Sequence, residues 1–113
     1  MDSLLKQTTN GFISFCTECN TYHLEFGNLF FRFTEDEFRH FCRYINSIDG
    51  PYYQAQNRHI RNSRKIFLRM PVQGFYCALH PEELTELKRL VDFSLIDENE
   101  INRLEHLEKF SLN

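Results

Sequence analysis

From Gly11 onward the chain alternates apolar and polar positions. Phe12, Ile13 and Phe15 run up to Cys16. Tyr22, Leu24 and Phe26 then alternate with His23 and Glu25, and Leu29, Phe31 and Phe33 alternate with Phe30 and Arg32. A period of two marks strands that bury one face. These three runs therefore predict an antiparallel meander. Gly27-Asn28, between the second and third runs, is a pair able to take positive φ in a two-residue hairpin turn. Residues 1–10 are polar and unpatterned, and are expected to be a flexible N-terminus ahead of a single domain at 11–113.

At Thr34 the period changes to that of a helix. Phe38, Phe41, Cys42, Ile45 and Ile48 share one face, while Arg39, His40 and Arg43 fall opposite. Thr34 is a good N-cap, Glu37 stands where a capping box needs it, and Glu35 and Asp36 suit the positive end of the dipole. Asp49-Gly50-Pro51 is expected to end this helix, and the polar stretch 52–64 reads as a long loop or edge segment. Strand signals return at Ile66–Met70 and, after a turn at 71–74, at Phe75–Leu79. His80-Pro81-Glu82-Glu83 opens a second helix with Pro at its first position, its apolar side being Leu84, Leu87, Leu90 and Val91. Asp97 and Glu100 suggest a cap for a final helix through Ile101, Leu104, Leu107 and Phe110.

Residues 29–45 lie over 75–91 without a gap, Glu37 falling on Glu83 and Phe38 on Leu84. Shared capping and amphipathic demands account for much of this match, so it does not establish a duplication. It does describe two hairpin-then-helix units. The economical way to bury both is an α+β fold: one antiparallel sheet of about five strands, a helix packed on one face per unit, and a C-terminal helix.

The 113 residues suit one domain. Twelve Phe and five Tyr argue for a packed core rather than disorder. The net charge of −3 is too small to steer a partner by itself. No apolar run approaches the roughly 18–20 residues of a membrane span, and the first residues lack the pattern of a secretory leader. The expected location is the cytoplasm, where thiols stay reduced. The four cysteines are then free, metal-bound or redox-active rather than a disulfide framework.

Cys16-Thr17-Glu18-Cys19 carries the sharpest chemistry. Two residues between cysteines let both thiolates of one turn reach a single ion, as in half of a structural zinc site. Asn20 suits the left-handed conformation such a turn needs. The other half would be Cys77 and His80, with His23 a local candidate. The objection is that positions three apart on a strand face opposite sides. A redox pair wants a helix N-terminus or a cation beside it, whereas here the flanking elements are strands and the nearest charge is Glu18. Plain packing of a hairpin corner is the third reading. Cys42, on the helix stripe, reads as a small core residue.

A second feature is basic. Arg58, Arg61, Arg64, Lys65 and Arg69 fall within a stretch that holds no acid, and Tyr52 and Tyr53 stand just upstream. Cations beside stacking rings can bind single-stranded nucleic acid or a phosphate group. Equally, the arm can face the chain's own acidic helices or protect an edge strand by charge. Nucleic-acid binders are usually basic as whole domains, which this chain is not.

No nucleophile elbow, phosphate loop or dinucleotide fingerprint is present, so the residues do not point to an enzyme. The string NGFISFCTECNTYHLEFGN, followed by the Glu83-Leu84-x-x-Leu87 helix start, resembles a family of small uncharacterised bacterial proteins over most of residues 10–95. The resemblance implies a small soluble bacterial domain and supplies no catalytic or binding residue. The expectation is a non-catalytic module that binds another protein or itself, the aromatic surplus forming its interface. The alternatives are structural zinc at Cys16, Cys19, Cys77 and His80, or nucleic-acid or phosphate binding at 58–69.

Overall fold

The computed structural model describes residues 2–92, and the helix expected from Asp97 onward lies outside them. Four strands, β1 (Asp2–Gln7), β2 (Gly11–Cys16), β3 (Thr21–Phe26) and β4 (Leu29–Phe33), form an antiparallel meander in that order. Helices α1 (Glu35–Ser47) and α2 (Gly50–Gln56) follow, then β5 (Ile66–Arg69), β6 (Tyr76–Leu79) and α3 (Pro81–Leu90). This is an α+β fold. Its strands divide between two sheets, β5 and β6 forming a separate pair.

The first sheet is one strand wider than the alternation implied. Residues 2–7 are not a flexible leader: they pair with β2 from Asp2↔Cys16 to Gln7↔Phe12, with a bulge between Leu4 and Lys6. The bulge turns Leu5 into the core, where it is buried, while Leu4 stays exposed. That single inserted residue hides the period of two. The β5–β6 hairpin contributes Ile66, Leu68 and Leu79 to the same core.

Residues 50–56 also depart from the expected loop. Asp49 does not merely end α1; it caps α2, its carboxylate accepting the Tyr52 amide at 3.1 Å, and Pro51 occupies the first turn. Gly and Pro stop a helix from inside but are tolerated where it starts. α1 begins as expected: the Glu37 amide reaches Thr34 Oγ1 at 3.3 Å, and the Thr34 amide reaches Glu37 Oε1 at 2.8 Å. The equivalent bond at α3 runs from the His80 amide to Glu83 Oε1 at 2.6 Å.

The core lies between the inner face of the meander and the helices. Ile13, Phe15, Tyr22, Leu24 and Phe26 meet Phe38 and Ile45 of α1 and Leu84, Leu87 and Leu90 of α3. Tyr22 stacks on Phe38 with ring centroids 4.3 Å apart, and Phe15 meets Tyr22 edge-on at 4.9 Å. Gly11 sits where strand and helix close on the backbone. A Cβ there would stand 2.5 Å from the Glu25 carbonyl oxygen and 3.1 Å from Leu90. Beside it Glu86 fastens α3 to the β1–β2 turn, accepting from Thr8 Oγ1 at 2.7 Å, the Asn10 amide at 2.7 Å and Asn10 Nδ2 at 2.8 Å. These bonds hold its carboxyl below the usual carboxylate range.

Candidate functional site

The β2–β3 corner is closed by Thr17–Asn20 between the paired residues Cys16 and Thr21. Asn20 takes φ 56°, the left-handed conformation that a short amide side chain tolerates. Inside the turn the Cys19 amide donates to Cys16 Sγ at 3.3 Å, so sulfur satisfies a backbone donor. Both thiols are free. Cys19 is exposed, and its Sγ lies 3.1 Å from Thr21 Oγ1, which in turn lies 3.2 Å from His23 Nε2. Thiol, hydroxyl and imidazole thus form one hydrogen-bonded row along the outer face of β3. Arg32 is paired directly across from His23 on that face.

The two thiols are unequal. A hydrogen bond from Cys16, then one from Thr21, lowers the Cys19 thiol below its ordinary value, and the Arg32 charge adds to this. The same Cys16–Cys19 bond pushes Cys16 up. Burial pushes Cys42 up to about 12, in keeping with its place on the inner side of α1. Cys19 also borders a cavity of about 400 Å³ shared with Thr34, Glu35, Asp36 and Arg39. The first turn of α1 therefore stands across that cavity from the thiol.

Cys77 and His80 are not brought to this corner. Cys77 sits on β6, paired with Leu68, and His80 precedes α3. Among the described residues no three His, Cys, Asp or Glu side chains converge as metal ligands. Burial raises the Cys77 thiol, and the nearby Glu83 carboxylate raises it further.

Two cations of the basic arm, Arg64 and Lys65, bond to the chain's own groups. Arg64 grips Glu83 of α3 with both ends of its fork, Nε–Oε1 at 2.9 Å and Nη2–Oε2 at 3.1 Å. This pair lowers the Glu83 carboxyl and raises Arg64. Lys65 Nζ donates to the carbonyls of Ile60 and Asn62. Arg58, Arg61 and Arg69 are exposed, Tyr52 is exposed on α2, and Tyr53 packs on the core.

A second concavity involves residues that carry no sequence motif. A groove of about 680 Å³ runs between β4, α1 and the end of β5. Its walls are Phe31, Phe33, Phe41, Tyr44, Met70 and Pro71, and its rim carries Arg32, Asp36, Glu37, His40 and Arg69. Phe31 and Phe33 stack at 5.4 Å, and each meets Phe41, at 5.2 and 5.0 Å. The Tyr44 hydroxyl accepts the Arg69 amide at 2.7 Å and ties the far wall to α1. The sequence signal was three Phe within a five-residue strand, more than the inner face of one strand needs.

No helix among the described residues is long and apolar enough to cross a membrane. No curated protein and no solved structure matches the chain. One family model does, over residues 1–113, and its description is a family of unknown function, DUF6686. The Asn10-Gly11-Phe12-Ile13 and Cys16–Cys19 stretch, the corner just described, lies within the matched range. The chain belongs to the family of unknown function DUF6686.

Proposed function

We propose that the protein is a self-associating module, and that two copies join edge to edge through β4. The observation that carries this is an unpaired, bulge-free, aromatic strand edge beside an apolar groove. Among the described residues no strand pairs with the outer edge of β4. Exposed edges are ordinarily blunted by bulges, inward charges or proline. β1, at the opposite edge, carries a bulge, whereas β4 reads Leu-Phe-Phe-Arg-Phe with a register free of bulges.

The strand is complementary to itself. In an antiparallel pair centred on Phe31, Leu29 meets Phe33 of the second copy on the inner face, and Phe31 meets its equivalent. On the outer face Phe30 meets Arg32, twice, a ring beside a guanidinium. No like charges face each other. Phe30 is 53% exposed. The inner side chains of the second strand would enter the groove, which adds apolar burial to the main-chain bonds, as in strand-addition complexes generally.

Size-exclusion chromatography with light scattering tests this. A mass that rises toward twice that of the chain with concentration is expected; a strict monomer at high micromolar concentration contradicts it.

A further inference from the structure

We infer that the Cys16–Cys19 corner is a thiol–disulfide exchange site, at which Cys19 attacks a small-molecule disulfide seated in the adjoining cavity and Cys16 resolves the product. The inference is independent of self-association, since it concerns the hairpin end of the sheet and not the outer edge of β4. Three observations meet there. The attacking thiol is exposed and opens onto a cavity of about 400 Å³. A second thiol lies one turn back, close enough for its sulfur to accept the Cys19 amide at 3.3 Å. A path for the proton exists: Cys19 Sγ, Thr21 Oγ1 and His23 Nε2 are linked at 3.1 and 3.2 Å.

The steps balance. The Cys19 proton passes to Thr21 Oγ1 while the Thr21 proton passes to His23 Nε2, leaving a thiolate that accepts from the hydroxyl. The thiolate attacks one sulfur of the disulfide R–S–S–R. A Cys19–S–S–R bond forms, the original S–S bond breaks, and RS⁻ departs and is protonated. Cys16, deprotonated in its turn, attacks the Cys19 sulfur and expels the second RS⁻. The protein dithiol loses two electrons and two protons; the small disulfide becomes two thiols. The lowered Cys19 thiol fits the attacking role and the raised Cys16 thiol the resolving one. The cavity wall carries both signs, with Arg39 bonded to Glu35 at 2.6 Å and Asp36 beside them. That suits a disulfide bearing both carboxylate and ammonium groups.

The test is reaction of the reduced full-length chain with oxidised glutathione, followed by mass spectrometry. The wild type should lose two hydrogens and retain no glutathione. Cys16→Ser should accumulate one glutathione on Cys19, while Cys19→Ser should react about tenfold more slowly at Cys16. Thr21→Val should slow the wild-type reaction by about three- to tenfold, and Thr21→Ser should restore it. An unchanged melting midpoint in each variant verifies that the fold is retained. Equal rates at Cys16 and Cys19, or a wild type that stops at the mixed disulfide, would overturn the inference.

Discussion

Of the four glycines, Gly11 leaves the least room for a side chain. A Cβ would meet the Glu25 carbonyl oxygen at 2.5 Å, a backbone atom that β2–β3 pairing holds in place. Gly11→Ala should therefore cost about 1–3 kcal/mol, the usual range for overpacking a closed site. The denaturation midpoint reads this directly. Sequence alone marks Gly11 only as the start of a strand, because the clash comes from a neighbouring strand and from Leu90 of α3. Asn20 is the opposite case. Its left-handed φ follows from residue type and from its place after Cys19, and both are local. The cysteines also separate at this scale. In native protein iodoacetamide should label Cys19 first and Cys42 last, since the thiol of one is lowered on an exposed turn and the other is pushed up to about 12 by burial. Faster labelling of Cys42 would contradict the packing described for α1.

Among the elements, α1 and α3 were legible and β1 and α2 were not, for definable reasons. Capping boxes and an apolar stripe over three turns are local signals, and they placed both long helices. The bulge in β1 shifts the alternation by one residue, and α2 is only seven residues long with Gly and Pro at its head. Asp49→Ala should remove the α2 cap and cost roughly 0.5–2 kcal/mol, with loss of amide protection confined to 50–57.

The carboxylates of α3 couple this level to pH. Glu83, bonded to Arg64, and Glu86, bonded to Thr8 and Asn10, both have folded-state values below their ordinary one. Their contribution is complete above the unfolded carboxylate range and is lost as pH falls through the lower folded values. Stability should thus decline on acidification below about pH 4.5, and Glu86→Gln should flatten that decline. Because Glu86 is partly exposed, removing its bonds should cost about 1–2 kcal/mol, toward the low end for bonds to a charged group. A pH profile unchanged by Glu86→Gln would show that the clamp contributes nothing.

At the scale of the whole molecule, the sites proposed here arise from contacts that adjacency in sequence does not show. The CxxC corner lacks a following helix, which argued against redox chemistry. The fold instead sets the first turn of α1 across the cavity from Cys19 and pairs Arg32 with His23 on the face that carries the thiol. The groove is likewise assembled from β4, α1 and the end of β5, while the Phe surplus was visible from the start. Cys77 and His80 illustrate the reverse, a pair with metal-ligand chemistry in sequence that the fold sets on β6 and at the start of α3, away from the Cys16–Cys19 turn.

The claim with the widest consequence is pairing through β4, and its register makes it specific. Centred on Phe31, the pairing sets each Phe30 against Arg32 of the other copy. Phe30 is 53% exposed and outside the core, so its variants are expected to keep the fold, which an unchanged melting midpoint checks. Sedimentation equilibrium of Phe30→Lys and Phe30→Glu beside the wild type is the decisive measurement. Lysine places like charges opposite each other twice and should weaken the dimer by about ten- to hundredfold. Glutamate places opposite charges there and should hold the dimer at or above wild-type strength. If both substitutions weaken association equally, or neither changes it, β4 does not pair with its own copy in this register.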